Sequence, residues 1–276
     1  MFTVGVLLPD NTNPYFAEIA RALEDACFHR GYSVIICNTE QDPGKELEYL
    51  RILREKQVEG LVFVSTGDDP EAIEALASQS IRSVIVDRSV ETSQFDLVVT
   101  DNELGAYRAT RHLIELGHRH IDCIAGNRGV ASSEARLLGY RRALDEAGAG
   151  GAVLYGDFQV ESGYEAFKTM YDSGNMPTAV FAGNDLMAFG VLHGAAEQLL
   201  RVPYDLSVAG FDDIQLSRFA VPALTTVRQP TQEMATKAIE LLLGDDAERR
   251  TEPRRLVLEP ELIVRASTGP PGAGTA

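Results

Sequence analysis

The chain has 276 residues, 45% of them hydrophobic, and a formal charge of −16 from 25 Lys and Arg against 41 Asp and Glu. That length suits two lobes of ordinary size with real cores, and the acidic balance repels phosphate backbones and anionic membranes, so these residues by themselves are not expected to grip DNA. No basic and apolar leader precedes the first strand-like run, and no stretch approaches the ~20 apolar residues of a spanning helix, so a cytoplasmic chain without membrane contact is expected.

Phe2 to Leu8 reads as a buried strand. Asn13-Pro14 follows a polar loop and has the form of an N-cap with Pro at the first helical position. The helix it opens runs to Gly31 and carries Phe16, Ile19, Ala20, Leu23 and Cys27 on one face. The cycle then repeats: strand 33–37, helix 44–56 with Leu47, Leu50 and Leu53 inward, strand 60–64, helix 70–78, strand 83–86 ending in Asp87-Arg88, and a short strand 97–100 before Asp101-Asn102. A second series starts at Asn102: a helix to Gly117, strand 120–125, helix 133–147, strand 152–155, helix 162–171, strand 178–182, helix 185–200, and an apolar run Leu206 to Phe211 delivering Asp212 and Asp213. Strands alternating with helices imply parallel sheets, so each series is expected to form a doubly wound α/β lobe, with a cleft between the two. After Asp213 the pattern changes to an extended stretch 222–230, a helix 231–243 and short strands 255–258 and 262–264. A lone helix and strand after two complete series suggest that the chain returns to the first lobe and then to the second. The expected lobes are 1–101 plus 228–259 and 102–227 plus 260–268, with a disordered Gly/Pro tail over 269–276.

In an open parallel sheet, ligands bind beyond the carboxyl ends of the strands. Those ends carry Asn13, Tyr15, Phe16, Asp87, Arg88, Asn184, Asp185 and Asp212, and Arg136, Phe158 and Gln229 lie on connections expected to face the same cleft. Planar bidentate groups with aromatics and no nucleophile suit a polyhydroxylated ligand, whose hydroxyls pair with carboxylates, guanidinium and amides while aromatic faces cover its C–H surface. Each residue also has a plainer reading. Asn13 serves as an N-cap, Asp87-Arg88 as a surface turn pair, Arg136 as a solvated residue paired with Glu134 or Asp145, and Tyr15, Phe16 and Phe158 as core. Asp185, at a helix start, reads as structural.

Enzyme motifs are missing: there is no G-x-S-x-G elbow and no phosphate-binding G-x-x-x-x-G-K-[ST] loop, and Gly148-Ala149-Gly150-Gly151 does not complete G-x-G-x-x-G. Asp212 and Asp213, as neighbours on a strand, would face opposite sides and could not flank one bond. The five histidines form no metal-spaced pair, and Cys27, Cys37 and Cys123 read as small buried hydrophobes rather than ligands or disulfides. Neither catalysis nor a cofactor nor a metal is expected.

Several motifs together resemble the effector-binding core of LacI/GalR-type transcriptional repressors, over the chain to about Thr268. They are Gly5-Val6-Leu7-Leu8-Pro9 with Asn13-Pro14-Tyr15-Phe16, Val86-Asp87-Arg88, Asp101-Asn102 with Gly105-Ala106, His112-Leu113-Ile114 with Leu116-Gly117-His118-Arg119, Pro177 to Ala182 with Asn184-Asp185, Val202 to Asp213, and Leu224 to Val227 with Gln229-Pro230. The resemblance implies a periplasmic-binding-protein type I fold, two doubly wound lobes joined by three hinge crossovers, and a homodimer. It implies operator DNA as a partner only through a helix-turn-helix that this sequence lacks. The ten residues Asn13, Tyr15, Phe16, Asp87, Arg88, Arg136, Phe158, Asn184, Asp212 and Gln229 resemble the pocket of ribose-binding proteins and ribose operon repressors, with Tyr15 where those proteins usually carry Phe. A ribose-like pentose is therefore the expected effector. The alternative with the same fold is a secreted solute-binding protein of a sugar transporter, against which the lack of a signal peptide and the unpaired cysteines argue.

Overall fold

A computed structural model describes residues 2–64, 74–77, 81–87, 94–244 and 252–272. In chain order the elements are β1 (Phe2–Leu8), α1 (Pro14–Phe28), β2 (Tyr32–Asn38), α2 (Pro43–Glu55), β3 (Gly60–Val64), β4 (Ser83–Val86), β5 (Asp96–Thr100), α3 (Asn102–Glu115), β6 (Ile121–Ala125), α4 (Ala131–Ala147), β7 (Val153–Tyr155) and α5 (Val160–Asp172). They continue with β8 (Ala179–Ala182), α6 (Asp185–Glu197), β9 (Ser207–Ala209), a 3-10 turn (Gln215–Arg218), β10 (Thr226–Arg228), α7 (Thr231–Leu243), β11 (Arg255–Leu258) and β12 (Glu261–Ile263). Of the helix expected at 70–78, residues 74–77 are helical and the rest lies outside the described residues.

The chain forms two compact units, residues 1–100 with 230–258 and residues 101–229 with 259–276, so it passes from one to the other at three points. In the first unit the sheet order is β11-β5-β4-β3-β1-β2, with every pair parallel. β11 adds the last strand beside β5, pairing Arg255 with Leu97 and Leu258 with Thr100. Leu50 and Leu53 of α2 pack with Leu7, Leu61, Phe63 and Ile85. Elsewhere α1 packs on α7, and α7 on β3, β4 and β5. Strands buried on both sides explain the near-continuous apolar runs, since no face is left for alternating polar residues.

In the second unit the order is β7-β6-β8-β9, again all parallel. Leu113, Leu137, Tyr140, Phe181 and Phe211 belong to one core cluster, while Phe167, Met187, Val180 and Leu224 belong to another. The two sheets share a plan: the chain starts on an inner strand, moves to one side, then returns past its start. That reversal lies between β1 and β3 in one unit and between β6 and β8 in the other, and in open parallel sheets ligands bind beyond the carboxyl ends at such a point.

Leu47, expected to face inward on α2, is exposed, and two other expectations change, at the end of β9 and at Gly269. The strand expected through Phe211 ends at Ala209, so Asp212 and Asp213 stand beyond it at φ 115° and 53°, and the argument from opposite strand faces does not apply to them. β12 pairs antiparallel with β10, Thr226 opposite Ile263. The tail expected to be disordered from Gly269 is held at its start: the Gly269 N–H donates to Ser207 Oγ at 3.1 Å, and its carbonyl lies 2.9 Å from His118 Nε2. Residues 273–276 lie outside the described residues.

Candidate functional site

In the first unit the carboxyl edge places Asn13, Tyr15, Phe16 and Asp87. Asn13 is the N-cap of α1, its side chain accepting from the Tyr15 N–H at 3.0 Å, and Pro14 takes the first helical position, where its missing N–H costs nothing. That cap sets the start of α1, and with it Tyr15 and Phe16, whose rings meet edge to face at 5.2 Å. Both are buried. Asp87 follows β4 in the left-handed region at φ 67°, held by its N–H to Val98 O at 3.0 Å. The Tyr15 hydroxyl donates to Asp87 Oδ1 at 2.6 Å, so the turn-pair reading fails for Asp87. Arg88 lies outside the described residues.

In the second unit Arg136 is the centre. It sits on α4 yet is only 5% exposed, and the solvated pairing with Glu134 or Asp145 does not occur. Its Nε donates to Asn102 Oδ1 at 2.8 Å and its Nη1 to the Gly183 carbonyl at 2.6 Å. The guanidinium lies 3.8 Å from the Phe211 ring centre and 5.9 Å from that of Phe158, and Nη1 is 3.6 Å from Asp212 Oδ1. The same oxygen accepts from Gln229 Nε2 at 2.8 Å, while the Asp212 N–H donates to Val227 O at 2.8 Å. A buried cation is tolerated here because every one of these neighbours is an acceptor or a π face.

Asn184 caps α6 through Met187 N at 3.0 Å, and its Nδ2 donates to Phe158 O at 2.9 Å. Phe158 has φ 67° and its ring fills the space over Gly126, where an added Cβ would come within 1.9 Å of it. Glycine is thus required at the end of β6 for the aromatic to be seated. Asp185 is fully buried and accepts from Ile214 N at 3.0 Å, from Ser217 Oγ at 2.6 Å and from Thr226 Oγ1. Burial first, and then the Asp212 charge, pushes its carboxyl well above the usual range. It ties the 3-10 turn and β10 to α6, as the structural reading of Asp185 requires. Asp213 is likewise occupied, by Arg228 Nε at 2.8 Å and by Arg265 Nη2, so the two adjacent carboxylates divide between Arg136 and the β10–β12 region.

The structure therefore brings Tyr15, Phe16, Asn13 and Asp87 together in one unit and Arg136, Asp212, Gln229, Phe158 and Asn184 together in the other. Sequence reasoning missed the partners that hold Arg136 in place, Asn102, Gly183 and Phe211. Phe211 sits next to Asp212 and Asn102 opens α3, but nothing in a single sequence shows that they meet one guanidinium. The set contains acceptors, donors and aromatic faces without an activated nucleophile. Burial pushes the Cys27 thiol up to about 11 and also raises those of Cys37 and Cys123, and all three are free and buried. Among the described residues no group of three His, Cys, Asp or Glu side chains is placed to hold a metal ion, and no helix is long and apolar enough to cross a membrane.

Comparison with known proteins adds four findings. Residues 110–268 match the periplasmic binding protein-like domain. The HTH-type transcriptional regulator DegA of Bacillus subtilis is 35% identical over 97% of this chain and 81% of its own length. The ribose operon repressor of Escherichia coli is 36% identical over 96% of the chain and 82% of its own. A LacI family transcriptional regulator from Enterococcus faecium, solved with bound ribose, superposes with a TM-score of 0.88 at 32% identity, covering 97% of this chain and 99% of that one.

Proposed function

Since the chain belongs to the LacI family of transcriptional regulators, we propose that its ligand-sensing core recognises a small free sugar, a pentose of the ribose type. Sugar binding is read out as a change in operator affinity of a full-length homodimer. The relatives are regulators of transcription and the chain is not an enzyme. The observation that carries the sugar reading is the buried array Arg136–Asp212–Gln229 with Phe158 and Phe211 beside it. It aligns charged and amide groups with aromatic faces, as adjacent hydroxyls over a C–H surface demand. The ribose bound to the Enterococcus regulator and the name of the E. coli relative point the same way. The residues proposed to recognise the sugar are Asn13, Tyr15, Phe16, Asp87, Arg88, Arg136, Phe158, Asn184, Asp212 and Gln229. A ligand that binds two conformations unequally shifts their populations by that difference, which is all an effector needs to alter DNA affinity.

Exposed apolar side chains support a second copy of the chain as partner: Phe28 and Ile36 in the first unit, and Leu216, Phe219 and Val221 in the second. Isolated exposed apolar groups are ordinary, but Leu216, Phe219, Ala220 and Phe189 line one apolar hollow, which a facing subunit would fill. Isothermal calorimetry with D-ribose, other pentoses, hexoses and nucleosides tests the ligand. Binding in the micromolar range is expected for D-ribose or a close relative, as a handful of charge-assisted bonds yields about −8 kcal/mol after the entropy of association. Asp212→Asn and Arg136→Ala are expected to weaken it by about 100-fold or more. Unchanged affinity in both variants would refute the proposed pocket.

A further inference from the structure

Among the described residues, two buried side-chain atoms have no hydrogen-bond partner, Asn127 Oδ1 and Ser133 Oγ. A buried polar atom left unmet has lost its hydration without recompense, so each calls for an explanation. Both belong to the corner that joins β6 to α4. The Val130 N–H turns back to the Asn127 carbonyl at 3.4 Å, and Ser133 lies in the first turn of α4, whose cap residue Val130 makes no side-chain cap bond. Helical Cα–Cβ bonds tilt toward the N-terminus, so the Ser133 hydroxyl lies over that same corner. Ser133 is 2% exposed, whereas residues 127–132 are half-buried or exposed. The two oxygens therefore lie just under the surface, within reach of an ordinary side-chain rotation.

The corner also adjoins the Arg136 array. Ser133 and Arg136 are both buried and stand one turn apart on α4. Arg136 Nη1 donates to the Gly183 carbonyl at 2.6 Å, and a Cβ built at Gly183 would lie 3.4 Å from the backbone N of Gly126, the residue before Asn127. The chain reverses between β6 and β8, the place where open parallel sheets take their ligands. An anion would suit the uncapped helix start, but the Glu134 carboxylate already accepts from the Gly129 N–H there at 3.3 Å, and Asn127 Oδ1 would oppose a second negative group. A neutral hydroxyl both donates and accepts, so it meets the Asn127 amide in either orientation and Ser133 in either role. Resting on the sugar reading above, we infer that Asn127 and Ser133 form a further hydroxyl-binding subsite beside Arg136, where sugar hydroxyls complete the two unmet oxygens. The penalty these atoms carry in the free protein is relieved on binding, so the bonds they make add more to affinity than bonds made by hydrated groups.

The test pairs stability without ligand against affinity for D-ribose. In Ser133→Ala, differential scanning calorimetry of the free protein is expected to show an unfolding midpoint raised by about 2 °C or more, since an unmet hydroxyl gives way to a methyl group in a helix. Calorimetric titration with D-ribose is expected to show affinity about tenfold weaker in Ser133→Ala and at least about fivefold weaker in Asn127→Ala. The opposition of signs in Ser133→Ala is the signature. A hydroxyl bonded within the protein would lower the midpoint when removed, and one that no ligand meets would raise the midpoint and leave the affinity alone. D-Ribose affinities within about twofold of wild type in both variants overturn the inference and leave the Arg136 pocket standing. A midpoint that fails to rise in Ser133→Ala overturns it as well, because the hydroxyl then has a partner inside the protein. A wild type that binds no D-ribose overturns the sugar reading, and the inference with it.

Discussion

Replacing Arg136 with Ala is the most informative perturbation of the second unit, because the side chain serves stability and the candidate site together. The variant strips the Asn102 Oδ1 and Gly183 carbonyl of donors now at 2.8 and 2.6 Å, and removes the guanidinium that lies 3.6 Å from Asp212, itself 6% exposed. Breaking one side of a buried ion pair costs about 3–5 kcal/mol, since the orphaned charge stays desolvated. The contact with the Phe211 ring at 3.8 Å adds up to about 2 kcal/mol when desolvated. Gln229 still donates to Asp212 at 2.8 Å, and water entering the vacated volume recovers part of the loss, so the lower end, about 3 kcal/mol, is the working figure. At about 2–4 °C per kcal/mol for a chain of this size, the midpoint of thermal unfolding should fall by roughly 6–12 °C. Differential scanning calorimetry without ligand measures this, with Arg51→Ala as control. Arg51 is exposed and, among the described residues, paired with Glu48 and Glu55 along α2, and its loss should shift the midpoint by less than about 2 °C. Equal shifts in the two variants would show that Arg136 is not the buried hub of the unit. Arg136→Lys separates charge from geometry, because an ammonium cannot reproduce the guanidinium's directed donors.

Asp185→Asn is expected to change the pH dependence of stability more than stability itself. Its amide can keep Ile214 N and Ser217 Oγ on the oxygen and donate to Thr226 Oγ1, so all three bonds survive. In the wild type the folded-state pKa is raised by burial and by Asp212, so the folded protein binds the proton more tightly than the unfolded chain. The stability it contributes is full below the ordinary Asp value near 4 and is lost as pH rises through the raised folded value. Urea unfolding from pH 4 upward should show a decline that is shallower in Asp185→Asn; identical slopes would exclude Asp185 as its source. Gly139→Ala should disturb the contact of α3 with α4, since the added Cβ would fall 2.1 Å from the Glu103 carbonyl oxygen and 2.8 Å from Tyr107 N. Forcing the helices apart costs about 1–3 kcal/mol, and a calorimetric midpoint equal to wild type would show that the pair separates freely.

Much of this protein could be read from one sequence, and the reasons are local. Continuous apolar runs such as Val4 to Leu8 and Leu61 to Val64 mark strands covered on both faces, and the Asn13-Pro14 pair marks a helix start; both follow from short-range chemistry. The alternation of strand and helix then dictates a parallel sheet, which in turn says that function sits at carboxyl ends, so Asp87, Asn184 and Asp212 were identifiable as candidates before any coordinate. What tertiary structure decided is which partner each of them takes. Arg136 reads equally as a surface ion-pair residue until α3, β8 and the Phe211 ring converge on it. Sequence singles out Asp212 over Asp213, but the partners that separate them, Gln229 and Arg136 on one and Arg228 and Arg265 on the other, come only with the fold. The anchoring of Gly269 by Ser207 likewise joins positions 62 residues apart. Sequence determines propensity and period because those act within a few residues, whereas the pairing of buried charges is settled only by where the folded chain leaves an unmet donor or acceptor.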